Sequence, residues 1–388
     1  MEKEAVVVLS NLPWDFPCDY IKQTSLELAK KAKVIVFSPT HTPTIRQKLA
    51  RFLKGVRKEK KEDNGVLIYE SIGLVPFQRF KIIRRVNLAL NSSFFYVYYL
   101  FKYGFRKPIL WTFSWYLAEV LPFFRWGKFL VYDRVDQAGS VDPVQDRKIK
   151  ALDRQYLSSV DFVFVNSPYA LNFVKNYNQN SFLVPCGCAI ELFLNNKVSI
   201  PDDLIRIKKP VIGLVGSIDH RIDFSIIYPL VKKNPNWSLV FIGTPFTKDS
   251  AQHKKAKLDE WLGKLKVLPN VYFLGQKAKN EIPGYIKGFD VCLIPYDIDQ
   301  EFVKGCNPMK LYEYLAMGKP VVSTPIAAVA QYSPTVGIAS TSPGFEKQIS
   351  RFLKEKKNIQ EIEKRKKIAL DNSWAKKVAI MWRTVVAR

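Results

Sequence analysis

Short, uninterrupted apolar runs recur along the first half of the chain, at Ala5 to Leu9, Val34 to Phe37, Val66 to Tyr69, Ile109 to Phe113, Phe129 to Tyr132, Phe162 to Val165 and Phe182 to Val184. A strand covered on both faces reads this way because neither side of its pleat meets water, and parallel sheets are covered on both faces. Between several runs, apolar residues return every three or four positions, as in Tyr20 to Lys30 and Asp146 to Ser158, which predicts amphipathic helices. Alternating strands and helices predict a doubly wound α/β domain.

The pattern breaks at Pro185-Cys-Gly-Cys188 and stays loose through Asn195, Asn196, Pro201 and Lys208 to Pro210, a linker composition. It then restarts with Val211 to Val215, Leu239 to Ile242, Val271 to Leu274, Val291 to Ile294 and Val321 to Ser323. The expected organisation is therefore a Rossmann-like domain over 1–185, a second over 186–370, and a C-terminal helix over 371–388. From Phe345 onward the chain reads as helical, with mixed Lys, Arg and Glu on a solvated face. The last helix, from Ser373, carries Trp374, Val378, Met381, Trp382 and Val385 and must dock on something apolar.

Bulk properties narrow this picture only in part. A chain of 388 residues exceeds what one core usually supports, and 47% hydrophobic content gives ample material for two. Sixty Lys and Arg against 35 Asp and Glu give a net charge of +25, favouring an anionic partner without choosing among nucleic acid, membrane and phosphorylated ligand. The five cysteines, Cys18, Cys186, Cys188, Cys292 and Cys306, form no spaced framework, which predicts a reduced, cytoplasmic chain. The N-terminus runs directly into a strand-like segment and does not read as a signal peptide. The longest apolar stretch, Val86 to Phe101, is broken by Asn87, Asn91, Ser92 and Ser93, so a soluble or peripheral protein is expected.

The most informative segment is Asn307-Pro-Met-Lys-Leu-Tyr-Glu-Tyr-Leu-Ala-Met-Gly-Lys-Pro-Val-Val-Ser-Thr324. Asn307 is placed to cap a helix, Pro308 suits its first position, and Gly318 followed by Pro320 ends it. The unpaired N–H groups at such a helix start, with the positive end of its dipole, suit a pyrophosphate. Lys310 adds charge in the first turn. Glu313, three residues on, lies on the same face, where it could accept hydrogen bonds from a ribose diol or simply pair with Lys310 on the surface.

This segment resembles the donor-binding motif of the retaining nucleotide-sugar glycosyltransferases with the GT-B fold. Its Asn-Pro-x-Lys-x-x-Glu-Tyr form is similar to that of bacterial teichuronic-acid and exopolysaccharide enzymes. The resemblance implies two Rossmann-like domains with mostly parallel sheets facing a deep cleft, and a C-terminal helix crossing back to the N-terminal domain. It implies donor binding by Asn307, Pro308, Met309, Lys310, Leu311 and Glu313, with Glu313 on the ribose. The family motif has an earlier glutamate that contacts the transferred sugar; Gly305 stands in its place here.

Other segments fit around this site. Val211 to Val215 leads into Gly216, whose backbone could approach a phosphate, and Arg221 just beyond could pair with it. The loop Gly275-Gln276-Lys277 stands where related enzymes receive the nucleobase. In the first domain, Tyr132-Asp133-Arg134-Val135-Asp136 brings two carboxylates and an arginine to the C-terminal end of a strand, where open parallel sheets bind ligands. Asp136 could position an acceptor hydroxyl or act as base, Asp133 could support that loop, and Arg134 joins the acceptor side. Trp14 and Asp15 follow the first strand, and Trp14 could stack on a sugar or pack on its own domain.

Cations and aromatics concentrate in Arg46 to Lys61 and Phe77 to Lys107, suiting an anionic membrane surface at the inner face of the membrane. Asp297-Ile-Asp299 has metal-site spacing but no phosphate-binding context, so no metal and no cofactor beyond the nucleotide sugar are expected. The resulting expectation is a metal-independent hexosyl- or glucuronosyl-type transferase, using a donor of the UDP class and a saccharide or lipid-linked acceptor. A catalytically silent GT-B scaffold and a nucleic-acid-binding protein are the competing readings, the latter resting on charge alone.

Overall fold

The structure is a computed structural model and describes residues 4–10, 12, 14, 19–39, 60–71, 82, 86, 107–115, 126–135, 143–194, 198–245, 252–355 and 358–388. It divides into two compact units. The first comprises 1–165, 171–184 and 378–388; the second comprises 166–170 and 185–377.

Eight strands form the sheet of the first unit: β1 (Ala5–Leu9), β2 (Lys33–Pro39), β3 (Lys60–Asp63), β4 (Val66–Ser71), β5 (Ile109–Thr112), β6 (Leu130–Arg134), β7 (Phe162–Val165) and β8 (Ser181–Leu183). Their order is β3-β4-β2-β1-β5-β6-β7-β8, parallel except for β3 against β4. The apolar runs are strands because both their faces are covered: the five residues of β1 and the four of β7 are all buried. Polar Lys60 to Asp63 is a strand only because the Asn64-Gly65 turn, with φ of +47° and +82°, folds it back onto β4 as an edge.

One face of this sheet carries a core in which Val6, Val8, Trp111, Val131 and Phe164 meet Val378, Met381 and Val385. The three last residues belong to the helix Trp374–Val386, so the C-terminal helix completes the hydrophobic layer of the first unit. Its periodic apolar stripe required a partner, and the sheet supplies it.

The second unit is built on six strands: β9 (Val211–Val215), β10 (Ser238–Ile242), β11 (Val271–Phe273), β12 (Val291–Ile294), β13 (Val321–Ser323) and β14 (Gly337–Ile338). The order β11-β10-β9-β12-β13-β14 means that the chain builds outward from β9 on one side and then returns to build outward from β12 on the other. Such a reversal leaves a crevice beyond the carboxyl ends of the two central strands, because their following helices lie on opposite faces. The helical tail resolves into Ser342–Glu355, Ile359–Asp371 and Trp374–Val386. Asn358 caps the middle one, accepting a bond from the Glu361 amide at 3.2 Å. Among the described residues, no helix is long and apolar enough to cross a membrane.

Candidate functional site

Three segments converge where β9 and β12 end. The first leaves β9 at Gly216, whose φ of +116° a side-chain-bearing residue rarely adopts. A Cβ at Gly216 would lie 2.9 Å from the Lys310 ammonium. Behind it, Gly243, at the end of β10, comes so near that a Cβ there would stand 2.1 Å from the Gly216 carbonyl oxygen. The second segment follows β12 and contains buried Tyr296, whose amide donates to the Thr324 hydroxyl at 3.1 Å while that hydroxyl donates to the Tyr296 carbonyl at 2.7 Å. The Lys310 ammonium lies 5.2 Å from the centre of the Tyr296 ring.

The third segment is the helix Met309–Ala316, which starts one residue later than the sequence suggests. Pro308 is its N-cap, in an extended conformation (φ −70°, ψ 115°), and is not its first helical residue. Asn307 does not cap the helix. Its side chain is buried and donates to the Asn166 carbonyl at 2.9 Å while accepting from the Tyr312 hydroxyl at 3.1 Å. No side chain caps the helix start, which keeps the first amides oriented for an anion. Leu311 does not face a ligand: its side chain is fully buried and its amide donates to the Pro308 carbonyl at 3.0 Å. Met309 and Lys310 remain half-buried at the helix start.

Glu313 is only 8% exposed and pairs at 2.5 Å with Lys279, a residue that no spacing in the sequence connects to it. The Lys310–Glu313 surface pair that the helix geometry permits does not form; Lys310 instead keeps its charge beside Gly216. Amides without a side-chain cap, a lysine and a carboxylate one turn along thus share one helix.

Arg221 enters this neighbourhood as half of an ion pair. Its Nε and terminal nitrogen hold Asp219 at 2.9 and 2.6 Å, and its guanidinium lies 5.6 Å from the Tyr296 ring centre and 5.9 Å from that of Phe302. Burial of the pair opposes the charge, yet the bonds to Asp219 hold the guanidinium above its ordinary value. Among the described residues, the cation that stands against Gly216 is Lys310, while Arg221 is paired with Asp219. Lys277 is likewise engaged elsewhere, 2.7 Å from Asp203 and over the Tyr285 ring. Gln276 is exposed beside Gly275.

In the first unit, two expected acceptor residues prove structural. Trp14 is 4% exposed within the core, its indole N–H on Asp63 at 3.2 Å and Lys22 over its ring, so it offers no free face to a sugar. Arg134 is buried, bonded twice to Asp153 at 3.1 and 2.9 Å and lying over Phe173. Tyr132 also donates to Asp153, at 3.0 Å, so pleat alternation turns Asp133 to the opposite face. There burial pushes its carboxyl up to about 7, with Trp111 partly offsetting the shift. Asp136 and Asp15 lie outside the described residues, as do nearly all of the basic and aromatic stretches Arg46 to Lys61 and Phe77 to Lys107.

Two units built on largely parallel sheets, the second reversing its strand order between β9 and β12, have the architecture of the GT-B fold class. Solved structures with that architecture superpose along nearly the whole chain. Sucrose-phosphate synthase from Thermosynechococcus elongatus gives a TM-score of 0.73 at 14% identity, covering 99% of both chains. HepE from Anabaena, in complex with UDP and glucose, gives 0.65 at 14% identity, covering 100% of both. The family described as Glycosyl transferases group 1 matches residues 209–355, a segment that lies within the second unit. The Bacillus subtilis (strain 168) protein TuaH, whose name assigns it to teichuronic acid biosynthesis as a glycosyltransferase, is 25% identical over 188 residues. That alignment takes in 47% of this chain and 45% of TuaH, less than half the length of the relative.

Proposed function

We propose that this chain transfers a sugar from a nucleotide-sugar donor of the UDP class to a saccharide or lipid-linked acceptor in bacterial cell-surface polysaccharide synthesis. The observation that carries the reading is the convergence of Gly216, Lys310 and the uncapped start of the Met309–Ala316 helix, with Glu313 one turn along. A diphosphate placed there would meet backbone amides, a helix dipole and one ammonium, which together can stabilise the charge that develops as the sugar departs. Glu313, held in place by Lys279, would take the ribose hydroxyls. These groups supply the counter-charge that a metal supplies elsewhere, and the reading is accordingly of a metal-independent hexosyl- or glucuronosyl-type enzyme. HepE, which binds UDP and glucose, and TuaH, named for a wall-polymer pathway, support this choice of donor and product class.

On the acceptor side the reading retains Asp136 as the group that orients the attacking hydroxyl, with Asp133 supporting the strand beneath it. Retention of configuration follows from the family resemblance, and a β product from an α-linked donor would overturn it. The cations and aromatics of the first half support a peripheral place at the inner face of the membrane. Gly305, where the family motif has its first glutamate, favours a second reading in which the chain binds nucleotide without turning it over. A transfer and hydrolysis assay across a panel of nucleotide sugars separates the two.

The test of the donor site is thermal stabilisation by nucleotides, because a ligand that binds only the folded state raises its melting temperature by mass action. UDP and UDP-sugars are expected to raise Tm in the wild type, and Glu313→Ala is expected to lose most of that rise. An equal rise in both proteins would remove Glu313 from the site. No rise with any nucleotide would overturn the donor reading.

A further inference from the structure

The crevice at the switch point has a structural cause that is separate from its ligand groups. Successive amides of a parallel strand face opposite neighbours. Directly after β9 the Gly216 amide donates to the Ile242 carbonyl of β10 at 2.9 Å, so the amide before it, that of Val215, faces β12. It finds no strand partner there, because the pairing of β9 with β12 stops at Gly213 and Cys292. The Val215 amide donates instead to the hydroxyl of Tyr314 at 2.8 Å.

Tyr314 is fully buried and stands in the middle of the Met309–Ala316 helix, next to Glu313 and four residues after Lys310. Cys292 of β12, Tyr296 and Glu313 all lie near enough to bear on its hydroxyl. The ring therefore occupies the place where β9 and β12 would otherwise continue their ladder. Its hydroxyl satisfies a backbone donor that the parting of the strands leaves over, a buried group that must have a partner. Through this bond the last amide of β9 is tied to the helix that bears Lys310, one residue before the backbone turns at Gly216.

We infer that Tyr314 is a positioning residue for diphosphate recognition: it holds the β9 and β12 ends apart and fixes the Gly216 backbone at its distance from the Lys310 ammonium. The inference rests on the donor reading above and adds to it a residue that touches no ligand. Phenylalanine at this position keeps the wedge but removes the acceptor, so the Val215 amide must seek another partner and the Gly216 turn loses its anchor. The loss falls on the phosphate end of the nucleotide and spares the nucleoside end.

The experiment compares wild type and Tyr314→Phe by calorimetric titration with UDP and with uridine. Tyr314→Phe is expected to weaken UDP at least tenfold while changing uridine by less than threefold. A merely structural role would lower the melting temperature and leave the ratio of the two affinities unchanged, and that result would overturn the inference. Unaltered UDP binding by the variant would overturn it as well. Failure of the wild type to bind UDP would overturn the donor reading first and this inference with it. Should Tyr314→Phe not fold, amide exchange in the wild type decides: the Val215 amide is expected to exchange as slowly as the β10 amides and more slowly still with UDP. Exchange at the rate of the exposed loops would exclude the bond.

Discussion

At the scale of single residues, the site and the core place opposite demands on charge. Lys310 sets its side-chain nitrogen beside the Gly216 turn and over the Tyr296 ring, an arrangement suited to an incoming phosphate. Hydrogen bonds to charged groups contribute about 1.5 to 3 kcal/mol, so Lys310→Met is expected to weaken UDP about 10- to 100-fold in a calorimetric titration. Arg221→Met should weaken it less, because Asp219 already neutralises that guanidinium. Asp133 shows the reverse case, a carboxyl held against an apolar layer at about 7 against an ordinary 3.8. The folded state binds this proton more tightly than the unfolded one, so stability falls as pH rises from about 4 through about 7. Asp133→Asn should remove this loss, stabilising the protein at pH 8 relative to pH 5 by roughly 2.5 kcal/mol. Urea titrations at the two values measure it, and equal stabilities of variant and wild type at pH 8 would contradict the burial argument.

At the scale of elements, the Gly216 turn is held from behind by its neighbour strand. Gly243 has φ of +139°, and any Cβ there meets the Gly216 carbonyl oxygen at 2.1 Å, a backbone atom that cannot yield as a side chain can. Gly243→Ala is therefore expected to cost about 2 to 4 kcal/mol in urea unfolding and to weaken UDP as the Gly216 turn moves. The prolines and Gly318 of the segment announce the Met309–Ala316 helix and its end, where the φ of Gly318, +68°, and the Lys319 amide bond to the Tyr314 carbonyl at 3.0 Å form a helix-ending turn. Its beginning was misread because Asn307 has the chemistry of a cap but a better use of it in space: two buried partners, one of them on Asn166. The edge strand Lys60–Asp63 was hidden for a different reason. Its charges carry no apolar signal, and only the Asn64-Gly65 turn marks it.

At the scale of the molecule, the chain visits the second unit at 166–170, enters it again at Pro185 and returns to the first at Val378. The final helix places Val378, Met381 and Val385, each at most 2% exposed, in the sheet core of the first unit. Deleting 378–388 should destabilise that unit by on the order of 5 kcal/mol, from the loss of three fully buried apolar side chains. In a thermal scan the first unit should melt earlier, while the transition that UDP raises should persist, since the proposed donor residues all belong to the second unit. A single transition lost altogether would show that the units do not fold separately.

What the sequence by itself determined is what short-range pattern can encode. The apolar runs announced covered parallel strands, the 3.6-residue returns announced helices, and the proline and glycine of the Asn307 to Thr324 segment announced a helix with a usable start. Each of these depends on residues within a few positions of one another. Only the tertiary structure decided which charges stay available and which are taken. Lys279 reaches Glu313 across 34 positions, Tyr314 takes the Val215 amide across 99, and Asn307 bonds to Asn166 across 141. Trp14 and Arg134 have the composition of a sugar site, yet Asp63 and Asp153, brought in by distant segments, make them part of the core. A residue's type states which bonds it can make; the fold states which partner is within 3 Å, and over such separations no local pattern carries that information.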